Sequence, residues 1–296
     1  MTKTAWVFPG QGSQEIGMGL DLLGTNQGKE RFQTAADILG WSVPEICRED
    51  APRLSQTHYT QPCLFVISAI LSDLLRSKGL EPDLVAGHSL GEYVALYTAG
   101  VFDFAAGLRL VQKRSTLMSQ ASDGKMVALM GFDWDQLNQV VKATEGVVLA
   151  NDNHAGQVVI SGTPAAVDAV IKQIKVKRVV ELNVSGAFHS PLMAAAAADY
   201  ETVLNTVDFQ TAQFPVISNV EPIPAQDPVT LKTRLIQQMT GPVRWRETVL
   251  VFADKGIEAV MEVGSGKVLT GLVKRTCKEM NLININDLDS LSNNIA

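Results

Sequence analysis

Residues 83–98, DLVAGHSLGEYVALYT, limit what this chain can fold into more than any other stretch. A short apolar run ends in Gly87-His88-Ser89-Leu90-Gly91, and an apolar-periodic helix starts at once. Gly-x-Ser-x-Gly between a strand and a helix is a nucleophile elbow, with glycines where the turn is tight and two backbones pass close together. A helix starting at the serine aims its free N–H groups and positive dipole end at the hydroxyl. The amide of Leu90, next after the serine, is therefore the natural first donor to an oxyanion. The competing reading is a Gly-Ser turn without chemistry, which the flanking strand and helix disfavour.

Strand and helix alternate on both sides of the elbow. TAWVFPG reads as a buried strand stopped by Pro9-Gly10, and RFQTAADILG as a helix closed by Gly40. In TQPCLFVISAILSDLLRSKG, Pro62 suits a first helical position and Gly79 a C-cap. The segment 102–122 is a longer helix. This alternation predicts a mainly parallel sheet covered by helices. The rhythm then changes. KMVALMGF is a strand, DWDQLNQVVKAT a helix, VVLAN and GQVVISG two strands joined by the turn DNHA, TPAAVDAVIKQIK a helix and KRVVELNVS a strand. The order βαββαβ is ferredoxin-like. The expected organisation is a discontinuous large α/β domain, residues 1–122 and 188–296, with a small α+β subdomain over 123–187. A helix over 192–206, the strand FPVISN, the Pro-rich loop EPIPAQDPV, another helix and the segment IEAVMEVGSGKVLTGLVKR follow, and the polar tail NINDLDSLSNNIA reads as loose.

Composition narrows the class. The chain has 296 residues, 46% hydrophobic and 19% charged, enough for the ample core of a globular enzyme. A net charge of −6 argues against nucleic acid as a partner. No eighteen-residue apolar run and no signal-type leader is present, so a cytoplasmic protein without membrane association is expected. Cys47, Cys63 and Cys277 form no close pair in sequence and read as reduced thiols. No metal or bound cofactor is expected. PGQGSQ (9–14) is not a dinucleotide fingerprint, because Glu15 stands where a glycine is required, and no Gly-Lys-Ser/Thr follows to make a phosphate loop. Its glycines instead permit close backbone approach around Gln11, as a second oxyanion donor or as an ordinary turn.

A serine hydroxyl needs a base. Of four histidines, His88 adjoins the serine and braces the turn, His154 sits in a solvent-facing hairpin turn, and His58 precedes a helix. His189, in VSGAFHSPLM, ends a strand beside Gly186 and precedes a Pro-initiated helix, which suits a loop-borne catalytic group. Elimination favours His189 without excluding the others. No acid stands out to orient it, so a backbone carbonyl is the alternative. Arg114 falls on the apolar face of its helix, with Leu110, Val111, Leu117 and Met118. An inward guanidinium needs a carboxylate or several hydrogen bonds. It is either a structural ion pair or a bidentate clamp on a substrate carboxylate, which would select malonyl over acetyl.

FPGQGSQ, TQPCLF, GHSLGEYVAL, QKRSTLM, GQVVISG, GAFHSPLM, GPVRW and EVGSGKVLTGLVKR occur in this order over nearly the whole chain. Together they resemble the malonyl-CoA:acyl carrier protein transacylases of fatty acid synthesis and, more broadly, the acyltransferase domains of polyketide synthases. The resemblance implies an α/β-hydrolase-like core with a ferredoxin-like subdomain, and malonyl transfer from coenzyme A to the thiol of a holo-acyl carrier protein. It implies Ser89 as nucleophile, His189 as base, Arg114 on the malonyl carboxylate, and the amides of Gln11 and Leu90 as the oxyanion hole. The carbonyl of Gln238, or of Gln237 if the alignment shifts by one, would orient the histidine. Phe188 matches the malonyl-type pattern, and Cys63 stands where the family usually has alanine. A monomer acting on malonyl-CoA and carrier protein is expected, with Lys267, Lys274, Arg275 and Lys278 as a docking patch for an acidic partner or simply a solvated face. A serine esterase or thioesterase, a docking module that has lost activity, and a transferase serving malonate decarboxylation or polyketide synthesis are the rival readings.

Overall fold

A computed structural model describes residues 2–121 and 123–295; Ser122, the last residue of the first expected segment, lies outside the described residues, as do Met1 and Ala296. The strands, in chain order, begin with β1 (Thr4–Phe8), β2 (Leu84–Gly87), β3 (Lys125–Phe132), β4 (Val147–His154) and β5 (Gln157–Gly162). They continue with β6 (Val176–Glu181), β7 (Val216–Ile217), β8 (Ala259–Val263) and β9 (Asn281–Ile285). One sheet has the order β7-β2-β1-β8-β9, with every pairing parallel. The other, β4-β5-β3-β6, is antiparallel and has the strand order of a ferredoxin-like unit.

The parallel sheet is apolar on both faces because helices cover both. In β1, Trp6 and Phe8 enter one core cluster while Ala5 and Val7 enter the other, as two-residue alternation requires. In the small sheet, Val127, Leu129, Val158 and Ile160 pack under the helices Trp134–Ala143 and Pro164–Gln173. Thr163 caps the second of these, its Oγ1 accepting from Ala166 N–H at 3.2 Å.

Three expectations are corrected. Pro62 does not start its helix, which runs Thr57–Ser77 with the proline inside. A proline there leaves the carbonyl four residues earlier without its helical donor; near that carbonyl, on His58, lies Ser115 Oγ at 3.4 Å, a hydroxyl whose nearer acceptor is Gln112 O at 3.0 Å. Through Ile295 the polar tail is ordered: its first residues, Asn284 and Ile285, end β9, which pairs with β8, and the helix Leu288–Ile295 buries Leu291. Its few apolar residues fall at the spacing that one strand and one helix need. The DNHA turn is shorter than expected, since β4 continues through His154, with register shifts at two points. The cysteines are free, as expected, with Cys47 and Cys63 both buried. Burial first, and the Cys47 thiol second, push Cys63 well above the ordinary range.

The two sheets share a hydrogen-bonded seam, and Met126, Ala128, Ala150 and Val159 of the small sheet also enter the core cluster that holds Trp6 and Phe8. Val243 N–H donates to Ala150 O at 2.8 Å and Asp152 N–H to Val243 O at 2.9 Å, so the 243 segment lies along β4. Arg246 Nε donates to both carboxylate oxygens of Asp152, at 3.0 and 2.9 Å, with its guanidinium over the Trp134 ring. Among the described residues no helix is long and apolar enough to cross a membrane.

Candidate active site

The site lies at the carboxyl ends of three adjacent strands. β1 and β2 pair in register at Phe8 and Gly87, so the loops carrying Gln11 and Ser89 leave the sheet side by side. β7 lies on the other side of β2 and delivers Asn219. The elbow glycines serve close approach. A Cβ on Gly91 would lie 1.9 Å from Phe8 O, one on Gly87 1.9 Å from Gly91 C, and one on Gly10 2.4 Å from His88 O. Ser89 takes a φ of 51°, in the left-handed region. Asn219 holds it there: Oδ1 accepts from Ser89 N–H at 2.7 Å and Nδ2 donates to Gly87 O at 2.6 Å.

His189 comes from the segment that returns from the small sheet to the large one. Its φ is 58°. Ser190 caps the following turn, accepting from Leu192 N–H at 3.2 Å and donating to Ala187 O at 2.6 Å. The imidazole Nδ1 lies 2.9 Å from Gln238 O and 3.1 Å from Gly241 O. Carbonyls only accept, so Nδ1 carries the proton and Nε2 presents a lone pair. Nε2 lies 2.8 Å from Ser89 Oγ. Burial first, then the Arg114 charge, push this histidine down to about 3, so it is neutral near pH 7 and able to accept a proton.

Arg114 is fully buried in the helix Phe104–Gln120. Its Nη1 donates to Gln61 Oε1 at 2.7 Å; Nη2 donates to Ser89 Oγ at 3.0 Å and to Gln238 Oε1 at 3.1 Å. The guanidinium carbon sits 5.4 Å from the Tyr93 ring centroid. No carboxylate pairs with it directly among the described residues. The inward arginine is thus held by amides and an aromatic face, not by an ion pair.

Ser89, His189, Arg114 and Gln238 therefore form one connected group, and of the two adjacent glutamines Gln238 is the one in it. Leu90 follows the serine directly. Gln11 lies in the loop packed on the elbow, its Nε2 donating to Thr57 Oγ1 at 3.0 Å. Lys267, Lys274, Arg275 and Lys278 are exposed around the helix Val268–Thr276. The other histidines are occupied elsewhere. His88 Nε2 meets Asn153 Oδ1 at 2.9 Å, and His58 Nδ1 meets Thr116 Oγ1 at 3.3 Å. His154 is buried, contrary to the expected solvent-facing position, because β4 extends through it; its Nδ1 accepts from Gly156 N–H at 3.0 Å.

Sequence reasoning missed Gln61, Glu92, Asn219 and the Gly241 carbonyl. Glu92 did leave a signal, as a charged residue leading an otherwise apolar helical run, and Gln61 a weaker one at the edge of the apolar run that follows Pro62, where burial demands a partner. Asn219 and Gly241 left none, since loop residues of these types are ordinary.

Fold and site together define the class, an α/β acyltransferase. The chain belongs to the acyl transferase domain family, whose model matches residues 5–292. It is 58% identical to the malonyl CoA-acyl carrier protein transacylase of Synechocystis sp., over 98% of this chain and 99% of the relative. The crystal structure of the Synechocystis malonyl-CoA:ACP transacylase superposes with a TM-score of 0.97, over 98% of this chain and 99% of that one. A malonyl-transacylase solved in complex with a type II PKS acyl-carrier protein is 36% identical and superposes with a TM-score of 0.94, each chain being 99% covered.

Proposed function

We propose that this chain transfers a malonyl group from malonyl-CoA to the phosphopantetheine thiol of holo-acyl carrier protein, through a malonyl ester of Ser89. The observation that carries this reading is a hydroxyl shared by a base and a cation: Ser89 Oγ lies 2.8 Å from His189 Nε2 and 3.0 Å from Arg114 Nη2. In the first half, Ser89 Oγ attacks the thioester carbonyl while His189 Nε2 takes its proton. The tetrahedral oxyanion rests on the amides of Leu90 and Gln11, whose loops leave adjacent strands. Collapse breaks the carbon–sulfur bond, and coenzyme A departs with the proton from His189. In the second half the carrier thiol gives its proton to His189 and attacks the ester; Ser89 leaves and is reprotonated. Arg114 turns from the free hydroxyl to the malonyl carboxylate and holds it through both halves. The two carbonyls behind His189 orient the ring without a negative charge.

The acceptor is read as the carrier of fatty acid synthesis, and polyketide carriers offer the same thiol. The exposed cations Lys267, Lys274, Arg275 and Lys278 suit an acidic carrier. Charge reversal at Lys274 and Arg275 is expected to raise KM for carrier protein and leave KM for malonyl-CoA unchanged.

Intact mass after mixing with malonyl-CoA tests the central step. A malonyl adduct is expected on the native chain and not on Ser89→Ala, while Arg114→Ala shifts loading toward acetyl-CoA. An adduct that hydrolyses within milliseconds without a thiol acceptor would instead make this a thioesterase.

A further inference from the structure

Glu92, the second residue of the helix Gly91–Thr98, is fully buried and takes no part in the steps above. Its Oε2 accepts from Gln238 Nε2 at 2.8 Å and from Asn219 N–H at 3.1 Å. The same Gln238 side chain turns its Oε1 to Arg114 Nη2 at 3.1 Å. One amide therefore stands between a buried guanidinium and a buried carboxyl group, carbonyl toward the first and amino group toward the second; burial raises the Glu92 pKa and its Oε1 has no partner among the described residues. The amide's orientation is the one in which its dipole stabilises both charges.

We propose that Glu92 is a positioning residue: the counter-charge of Arg114, coupled to it through the Gln238 amide. The proposal rests on reading Arg114 as the clamp for the acyl carboxylate, and adds what sets that clamp's strength. A direct Arg114–Glu92 pair would occupy the fork that an acyl carboxylate needs. An amide-bridged pair balances the charge and leaves the fork turned toward Ser89. It also opposes the incoming carboxylate with a resident negative charge one amide away, so the acyl group is oriented without being held too tightly for the second transfer. Tight binding common to substrate and transition state does not raise turnover. The same carboxylate steadies both halves of the site. Asn219 carries its hold to the Ser89 amide, and Gln238 carries it to the carbonyl that faces His189. Gln238 Nε2 also donates to Ser89 O at 2.8 Å, tying these segments together.

Glu92→Gln separates charge from hydrogen bonding, because its amide oxygen can still accept from Gln238 and Asn219. In a Ser89→Ala background, where no ester forms, equilibrium binding of malonyl-CoA and acetyl-CoA is measured with and without Glu92→Gln. Losing the resident negative charge is expected to raise the preference for malonyl-CoA by about tenfold, leaving acetyl-CoA affinity unchanged. A preference that exists in Ser89→Ala but does not respond to Glu92→Gln overturns the proposal and spares the clamp. Equal binding of the two thioesters by Ser89→Ala overturns both. Should Glu92→Gln fold poorly, the double variant with Arg114→Gln decides the matter. A counter-charge predicts that removing both charges restores the thermal stability that one removal costs. Additive losses, or a double variant that also fails to fold, overturn it.

Discussion

Ser89 and His189 share a left-handed backbone, at φ of 51° and 58°, but owe it to different supports. Such a conformation costs a non-glycine residue on the order of 1 kcal/mol or more, so something must hold each one there. Ser89 is held by the sheet. Its strand pairs in register with β1 and β7, glycines let the helix sit against the strand ends, and Asn219 arrives on the neighbouring strand. His189 lies outside the strands and is held by hydrogen bonds to the 238–241 segment, which in turn runs to the seam with β4 at Val243. The Ser89 side is thus set by strand register, and the His189 side by contacts between segments distant in sequence. The first should resist local change until it fails as a whole. The second should weaken in small steps.

The largest expected effect comes from His189, the proposed base. His189→Ala should slow acylation of Ser89 by about 10²–10⁴-fold, followed by mass spectrometry in time, while thermal stability changes little. A loss below tenfold would break the assignment of His189 as base. Gly91→Ala tests the other side, because its Cβ would stand 1.9 Å from Phe8 O. It should cost roughly 3 kcal/mol in urea unfolding. Gly24→Ala, where a Cβ would meet nothing within 4 Å, should be near neutral by comparison.

The pH dependence of stability sharpens the contrast further. Burial and Arg114 hold His189 at about 3 in the folded chain, against an ordinary 6.5. As pH falls through that window the unfolded chain takes up the proton first. Native stability therefore declines between 6.5 and about 3, and the contribution vanishes above 6.5. The slope is at most about 1.4 kcal/mol per pH unit, and His189→Gln should remove it from the difference curve. An identical curve would place the burden on the carboxylates instead. The smallest effect is at the seam. Arg246→Ala removes the grip on Asp152 and should cost roughly 1 kcal/mol of stability. It should also lower kcat a few-fold at unchanged KM for malonyl-CoA, through a looser 241–243 segment. An unchanged kcat would mean that the seam does not steady the base.

Much of this was legible because local rules and the global fold agree. The strand–elbow–helix run at 83–98 carries its own geometry in its glycines, and the βαββαβ rhythm predicts a small sheet whose strand order the structure has. Arg114 could be placed on a buried face from helical spacing alone. The misreadings came where a distant residue supplied what local sequence lacked. Pro62 looked like a helix start because the polar group near the freed His58 carbonyl, Ser115 Oγ, comes from a helix more than fifty positions away. The tail looked loose because β9 acquires its partner only when it meets β8.

The amino-acid order therefore determined the element types, the elbow and the inward cation, since periodicity, turn chemistry and apolar spacing act between near neighbours. The local sequence rules left the choice of histidine open, and only the chain's resemblance to a family pointed to His189 and the Gln238 carbonyl. The tertiary structure shows that histidine meeting the serine, adds the Gly241 carbonyl behind it, and sets Glu92 facing Arg114 across one amide. Those contacts join residues up to about 150 positions apart. No local preference encodes them; they form only when burial forces each polar group to find a partner.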